Sequence, residues 1–99
     1  MNDFHFKIFW TYHAKQDLKD IYIYLKENVS IVIAKKIRNE IYQSPTEITF
    51  PEQFQLDGYR FDCRRIIIRD YKILYCIKDD AIYVVRVFNT LQNPLKSLL

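Results

Sequence analysis

Residues 59–88, YRFDCRRIIIRDYKILYCIKDDAIYVVRVF, restrict the possible folds more than any other stretch of the chain. The runs 61–68, 71–77 and 82–88 are dense in β-branched and aromatic side chains, the types that suit a pleated, half-buried surface. Three consecutive strands follow from that. Arg69-Asp70 and Asp79-Asp80 interrupt them, and aspartate accepts the positive φ of a tight hairpin turn without help from glycine. With Arg69 and Asp70 as the loop, Ile68 faces Tyr71, Ile66 faces Ile73, Arg64 faces Tyr75 and Cys63 faces Cys76. Alternation then assigns Ile66, Ile68, Tyr71, Ile73, Tyr75 and Ile77 to one face, a core. The other face receives Arg65, Ile67, Lys72, Leu74, Cys76 and Lys78, and is mixed and basic.

In this stretch Arg60, Arg64, Arg65, Arg69, Lys72, Lys78 and Arg86 outnumber Asp62, Asp70, Asp79 and Asp80 by three, which equals the net charge of +3 of the whole chain. A single cation on an outer sheet face is ordinarily there for solvation. Several on one sheet, interleaved with Tyr71, Tyr75 and Tyr83, fit a polyanionic or acidic partner. The face away from the core is therefore the expected working surface.

A length of 99 residues suits one domain over 1–99, and 49% apolar residues with a single glycine mark a folded globular protein. No apolar run reaches the length of a membrane span, and MNDFHFKIFW lacks the pattern of a secretory signal, which points to the cytoplasm. A reducing cytoplasm would keep Cys63 and Cys76 as free thiols, and bridges between directly opposed strands are strained. With no CxxC pair and no histidine near either cysteine, neither a metal nor a cofactor is expected.

Upstream, Phe4, Phe6, Ile8, Trp10 and Tyr12 alternate with His5, Lys7, Phe9 and Thr11, which is the period of a strand. From Ala14 the spacing lengthens, and Ala14, Leu18, Ile21, Tyr22 and Leu25 fall on one side of a helix. Ser30 suits the N-cap of a second helix over 31–42 that buries Ile33, Ala34, Ile37 and Ile41. Ser44-Pro45-Thr46-Glu47 has the form of a capping box and opens a short helical turn. Residues 52–58 then form a loop ending on Gly58, where a positive φ is expected. The order is β-α-α-β-β-β, an α+β fold in which a two-helix hairpin packs on one face of a mainly antiparallel sheet. The first strand enters at an edge or beside the last strand; the pattern does not choose between them.

Several short motifs occur in a telling order: Ala14, Asp17-Leu18, Ile21 and Tyr24-Leu25 in the first helix, Ala34, Ile37 and Ile41 in the second, and Pro51-Glu52 with Phe54 in the loop. Arg64-Arg65-Ile66, Tyr71-Lys72-Ile73-Leu74-Tyr75, Val84 with Arg86-Val87-Phe88, and Gln92-Asn93-Pro94 complete the series. Over nearly the whole chain this arrangement resembles the RelE/ParE superfamily of small toxins from bacterial type II toxin-antitoxin modules, with the ParE side closer. The resemblance implies a toxin held inactive in a hetero-oligomer by a cognate antitoxin whose acidic, partly disordered tail wraps helices and sheet. It also implies one of two targets: DNA gyrase for ParE-like members, or messenger RNA on the ribosome for RelE-like ones.

Cutting RNA through its 2′-hydroxyl takes a base, an acid and cations against the phosphorane. Arg65, Arg69, Lys72 and Arg86 supply the cations, and Tyr71, Tyr75 or Tyr83 a stacking ring or a proton, but no general base stands out. His5 and His13 lie far in sequence from the basic strands and read as surface or packing residues, while Ser30, Ser44 and Ser97 belong to caps and tail. Nuclease members of the superfamily carry basic residues at the end of the last strand, where this chain has Asn89-Thr90-Leu91. The resemblance thus favours a gyrase poison, with RNA cleavage and a non-toxic binding module of the same fold as alternatives. Arg64, Arg65, Lys72, Tyr83, Asn89 and Gln92 are the residues expected to meet the target, and Arg65→Ala with Lys72→Ala should abolish toxicity.

Two of these arginines sit awkwardly. Arg64 and, with a two-residue turn at Asp79-Asp80, Arg86 fall on the core face, where a guanidinium needs a partner. Asp17, Asp20 or Asp62 can supply one; alternatively a bulge shifts the register and turns both outward.

Overall fold

The hairpin rule worked out from the two-residue turn governs the sheet. In the computed structural model, which describes residues 6–58, 60 and 62–91, strands β2 (Arg64–Ile68) and β3 (Tyr71–Lys78) pair as Arg64 with Tyr75 through Ile68 with Tyr71. Strand β4 (Ala81–Asn89) lies antiparallel to β3, and β1 (Lys7–Trp10) runs parallel to β4, so the order is β1-β4-β3-β2. The first strand is thus both an edge and the neighbour of the last. In each tight turn only the first residue has a positive φ, 53° at Arg69 and 58° at Asp79. The first hairpin therefore places an arginine where aspartate was expected. Gly58 has no positive φ, and a Cβ there would meet nothing within 4 Å.

Helix α1 (Tyr12–Asn28) starts two residues before the periodicity suggests, because Thr11 caps it by accepting the Ala14 N–H at 3.2 Å. Ser30 caps α2 (Ile31–Gln43) by accepting the Ile33 N–H at 3.1 Å. The predicted capping box does not form: the turn Ser44–Glu47 is 3₁₀, and the Ser44 hydroxyl donates to the Ile41 carbonyl at 2.7 Å. The helical hairpin buries Ala14, Leu18, Leu25, Ala34, Ile37 and Ile41 against Ile66, Tyr71, Ile73, Tyr75, Ile82, Val84 and Val87. Ile33, expected in that layer, is instead exposed with Val29, Ile31 and Val32 at the tip of the hairpin.

A bulge settles the geometry of β4. Tyr75 pairs with Val84 but Leu74 pairs with Arg86, leaving Val85 without a partner on β3. The extra residue sends both Val84 and Val87 into the core and shifts Arg86 off the core face.

The opposite face differs most from expectation. Leu74, Phe88 and Cys63 lie there and are buried, and Lys72 is only 6% exposed. The loop after the 3₁₀ turn runs along the free edge of β2 and sends the Asp57 side chain to this face. Leu56 bridges to Arg64, the Arg65 N–H donates to the Gln55 carbonyl at 3.0 Å, and the Asp57 N–H donates to the Cys63 carbonyl at 2.9 Å. Cys63 and Cys76, expected as free thiols, form a disulfide, their Cα atoms 4.6 Å apart in directly opposed positions.

Candidate functional site

The sheet cations were expected as an open, basic surface; the fold instead takes up six of the seven with internal acceptors. Lys72 donates to Asp57 at 2.6 Å beneath the loop, and Arg65 lies 3.9 Å from the same carboxylate while donating to Gln55 Oε1. Asp57 has no exposed surface, so its charge requires the cations beside it. Lys72 also stands over the Phe88 ring, 5.0 Å from its centroid. Arg69 grips Glu40 of α2 with two hydrogen bonds of 2.8 and 3.0 Å. That bond holds the Glu40 carboxyl below the usual carboxylate range. Arg60 pairs with Asp62 at 3.2 Å, and Arg64 donates to the Phe54 carbonyl at 2.7 Å. Lys78 is exposed.

Arg86 and Asp17 form the most organised cluster. Strand β1 pairs only with residues 81–84 of β4, so the edge of β4 beyond Val84 has no strand beside it. The N-cap of α1 and a residue of its second turn satisfy that edge: the Thr11 hydroxyl donates to the Val85 carbonyl at 3.2 Å, and Asp17 Oδ2 accepts the Val87 N–H at 2.9 Å. The same carboxylate receives Arg86 through Nε at 2.8 Å and Nη2 at 3.2 Å, which raises the Arg86 pKa further. Both sequence alternatives for Arg86, a bulge and an aspartate partner, hold together. Around the pair is a cleft of about 390 Å³, lined also by Asp20, Tyr24, Tyr71 and Asn89. Burial, with Asp70 and Tyr24 nearby, pushes the Tyr71 phenol up. Two carboxylates against one guanidinium leave this cleft net negative.

Of the sequence-predicted site residues, Arg86 and Asn89 share this cleft, whereas Arg65 and Lys72 meet at Asp57. Tyr75 is fully buried, its ring edge-on to Phe54, and its hydroxyl has no partner among the described residues. Burial pushes its pKa up to about 12. Tyr83 stacks on Phe9 at the other end of the sheet, with ring centroids 5.4 Å apart. Arg64 pairs with Tyr75 across the hairpin, Arg69 lies apart at Glu40, and Gln92 falls outside the described residues.

A second concavity, of about 520 Å³, opens between β1 and the helices. Trp10 stacks on Tyr42 at 5.5 Å, and Arg38 lies over the Tyr22 ring at 4.7 Å, with Lys15 and Lys19 exposed along the rim. Sequence reasoning missed this groove because its residues come from three separate elements. The alternation that exposes Phe9 and the aromatic positions on both helices were the only signal.

A family model described as the ParE toxin of the type II toxin-antitoxin system, parDE, matches residues 8–94. The chain belongs to the ParE toxin family. It is accordingly the toxin of a type II toxin-antitoxin system, and an antitoxin partner is implied. Among solved structures, a chromosomal ParDE toxin-antitoxin system from P. aeruginosa is similar at 17% identity and a TM-score of 0.73, over 85% of this chain and 95% of that one. A conserved hypothetical protein from Helicobacter pylori is similar at 20% identity and a TM-score of 0.56, over 88% and 97%. At such identities these structures speak for the fold alone. No curated protein sequence matches the chain. In this ParE-family toxin no described helix is long and apolar enough to cross a membrane.

Proposed function

We propose that this ParE-family toxin arrests growth by binding DNA gyrase rather than by cutting RNA. The observation that carries the reading is where the cations go. A nuclease needs cations free to meet a phosphorane, but Arg65, Lys72, Arg69 and Arg86 are each engaged by Asp57, Glu40 or Asp17. The cleft holding Arg86 also carries Asp20 and repels a phosphate backbone. A protein surface, which binds through shape and aromatic contacts, does not require free cations. Tyr24, which is exposed, and Asn89, which is partly exposed, offer such contacts at the cleft.

The antitoxin reading moves to the helix side. The groove of Trp10, Tyr22 and Tyr42, rimmed by Lys15, Lys19 and Arg38, suits an amphipathic acidic segment better than the covered sheet face does.

The test is induced expression without the antitoxin, with a supercoiling assay on purified gyrase. Growth arrest with DNA-damage signalling, intact transcripts and lost supercoiling is the expected result. Prompt cleavage of transcripts at ribosomal A-site codons, with supercoiling unaffected, would replace it with ribonuclease action. Normal growth would leave a non-toxic binding module.

A further inference from the structure

We propose that, once reduced, Cys63 and Cys76 join Asp62 in a binding site for a thiophilic divalent cation, Zn²⁺. The β2–β3 hairpin brings together two cysteines thirteen residues apart, which spacing along the sequence does not reveal as a ligand pair. One ligand atom from each of Asp62, Cys63 and Cys76 lies within 4.8 Å of the others. Two sulfurs and a carboxylate oxygen are a donor set that suits zinc, whose bonds to them are about 2.3 and 2.0–2.2 Å. A tetrahedral ion holds its ligand atoms about 3.5–3.8 Å apart, so side-chain rotation of roughly an ångström completes the site.

Three further features favour the ion. Arg60 Nε donates to Asp62 Oδ1 at 3.2 Å, orienting the carboxylate from outside as a supporting hydrogen bond does in metal centres. With two thiolates and the carboxylate, a dication and Arg60 bring the cluster to neutrality. A cavity of about 280 Å³ lined by Asp62, Arg64 and Cys76 opens beside the cluster, with room for a water as fourth ligand. Cys63 is 1% exposed while Asp62 is open to solvent, so the ion enters from the aspartate side.

The chemistry balances in two steps. A dithiol reductant delivers two electrons and two protons to the disulfide, breaking the S–S bond, and leaves as its own cyclic disulfide. Zn²⁺ then displaces the two thiol protons and forms two Zn–S bonds and one Zn–O bond. Disulfide and metal become alternative clasps between the chain entering β2 and strand β3, the first under oxidising and the second under reducing conditions.

The test uses the full chain, reduced with a phosphine and freed of reductant, and titrated with Cd²⁺ as a spectroscopic substitute for zinc and with Zn²⁺ under calorimetry. The expected result is one ion per chain, a thiolate-to-cadmium ultraviolet band, and about two protons released per Zn²⁺ at neutral pH. The oxidised chain, identical in sequence, gives no band. Cys76→Ser abolishes the band, and Asp62→Asn weakens Zn²⁺ binding about tenfold or more while leaving the circular dichroism unchanged. Reduced protein without a band, equal binding by the oxidised chain, or Asp62→Asn binding as tightly as the parent would each overturn the proposal.

Discussion

Lys72 and Tyr75 illustrate how burial reassigns a residue. Lys72 was expected to project toward a partner, yet it lies under the loop against a fully buried Asp57. Lys72→Ala removes the closer of the two cations at that buried carboxylate, leaving Arg65 3.9 Å away, and should cost about 3 kcal/mol in urea unfolding. Lost toxicity in this variant would therefore report instability, and Arg65→Ala, at a partly exposed position, is the more discriminating substitution. Tyr75 lacks a hydrogen-bond partner among the described residues, so Tyr75→Phe should be neutral or stabilising by about 1 kcal/mol, with toxicity intact. The sign of the pH effect follows from the raised pKa. The fold favours the neutral phenol, so this contribution is whole below the ordinary value of 10.0 and is lost as pH rises through about 12. Stability against pH should decline less steeply over that window in Tyr75→Phe. Glu40 behaves oppositely: its lowered pKa gives a contribution present above 4.5 that disappears as pH falls through the folded value. Arg69→Gln should move the Glu40 titration, followed by NMR, back up toward 4.5.

At the level of elements, the edge of β4 beyond Val84, which has no strand beside it, depends on α1. A strand edge without a neighbour presents unpaired amides and carbonyls, and here Thr11 and Asp17 occupy them. Asp17→Ala removes an acceptor shared by Arg86 and the Val87 N–H and should cost about 2 kcal/mol. Asp17→Asn keeps an oxygen for the amide and should cost roughly half as much, which thermal unfolding of the two variants would resolve. The bulge at Val85 makes this arrangement possible, since without it Arg86 would point into the core beside Val84. Nothing in VVRVF marks which residue is extra. Thr11 was readable as a cap in principle, but the strand alternation running through Tyr12 concealed it.

For the whole molecule, exposed positive charge among the described residues lies mainly on the helical side. Lys15, Lys19, Lys26, Lys35 and Lys36 are exposed on α1 and α2, while the cations of the sheet are largely consumed by internal carboxylates. Under the antitoxin reading above, Lys15→Glu with Lys19→Glu should weaken antitoxin binding about tenfold or more through charge reversal at the groove rim. Their exposure leaves the fold and the toxicity of the free protein unchanged. Calorimetric titration of the purified pair and growth curves check the two halves of this expectation.

Local information decided the elements of this protein. β-Branched runs, two-residue breaks and helical spacing specified the three-strand ladder, its β2–β3 register, the helix hairpin and the Ser30 cap, because each depends on neighbours a few positions apart. Only the tertiary structure decided the fate of charge. Whether an arginine on a strand meets solvent or a carboxylate depends on groups distant in sequence, such as Asp17 to Arg86 and Asp57 to Lys72. Electrostatic partners form through space, and strand parity gives the side of the sheet without showing what folds back over it.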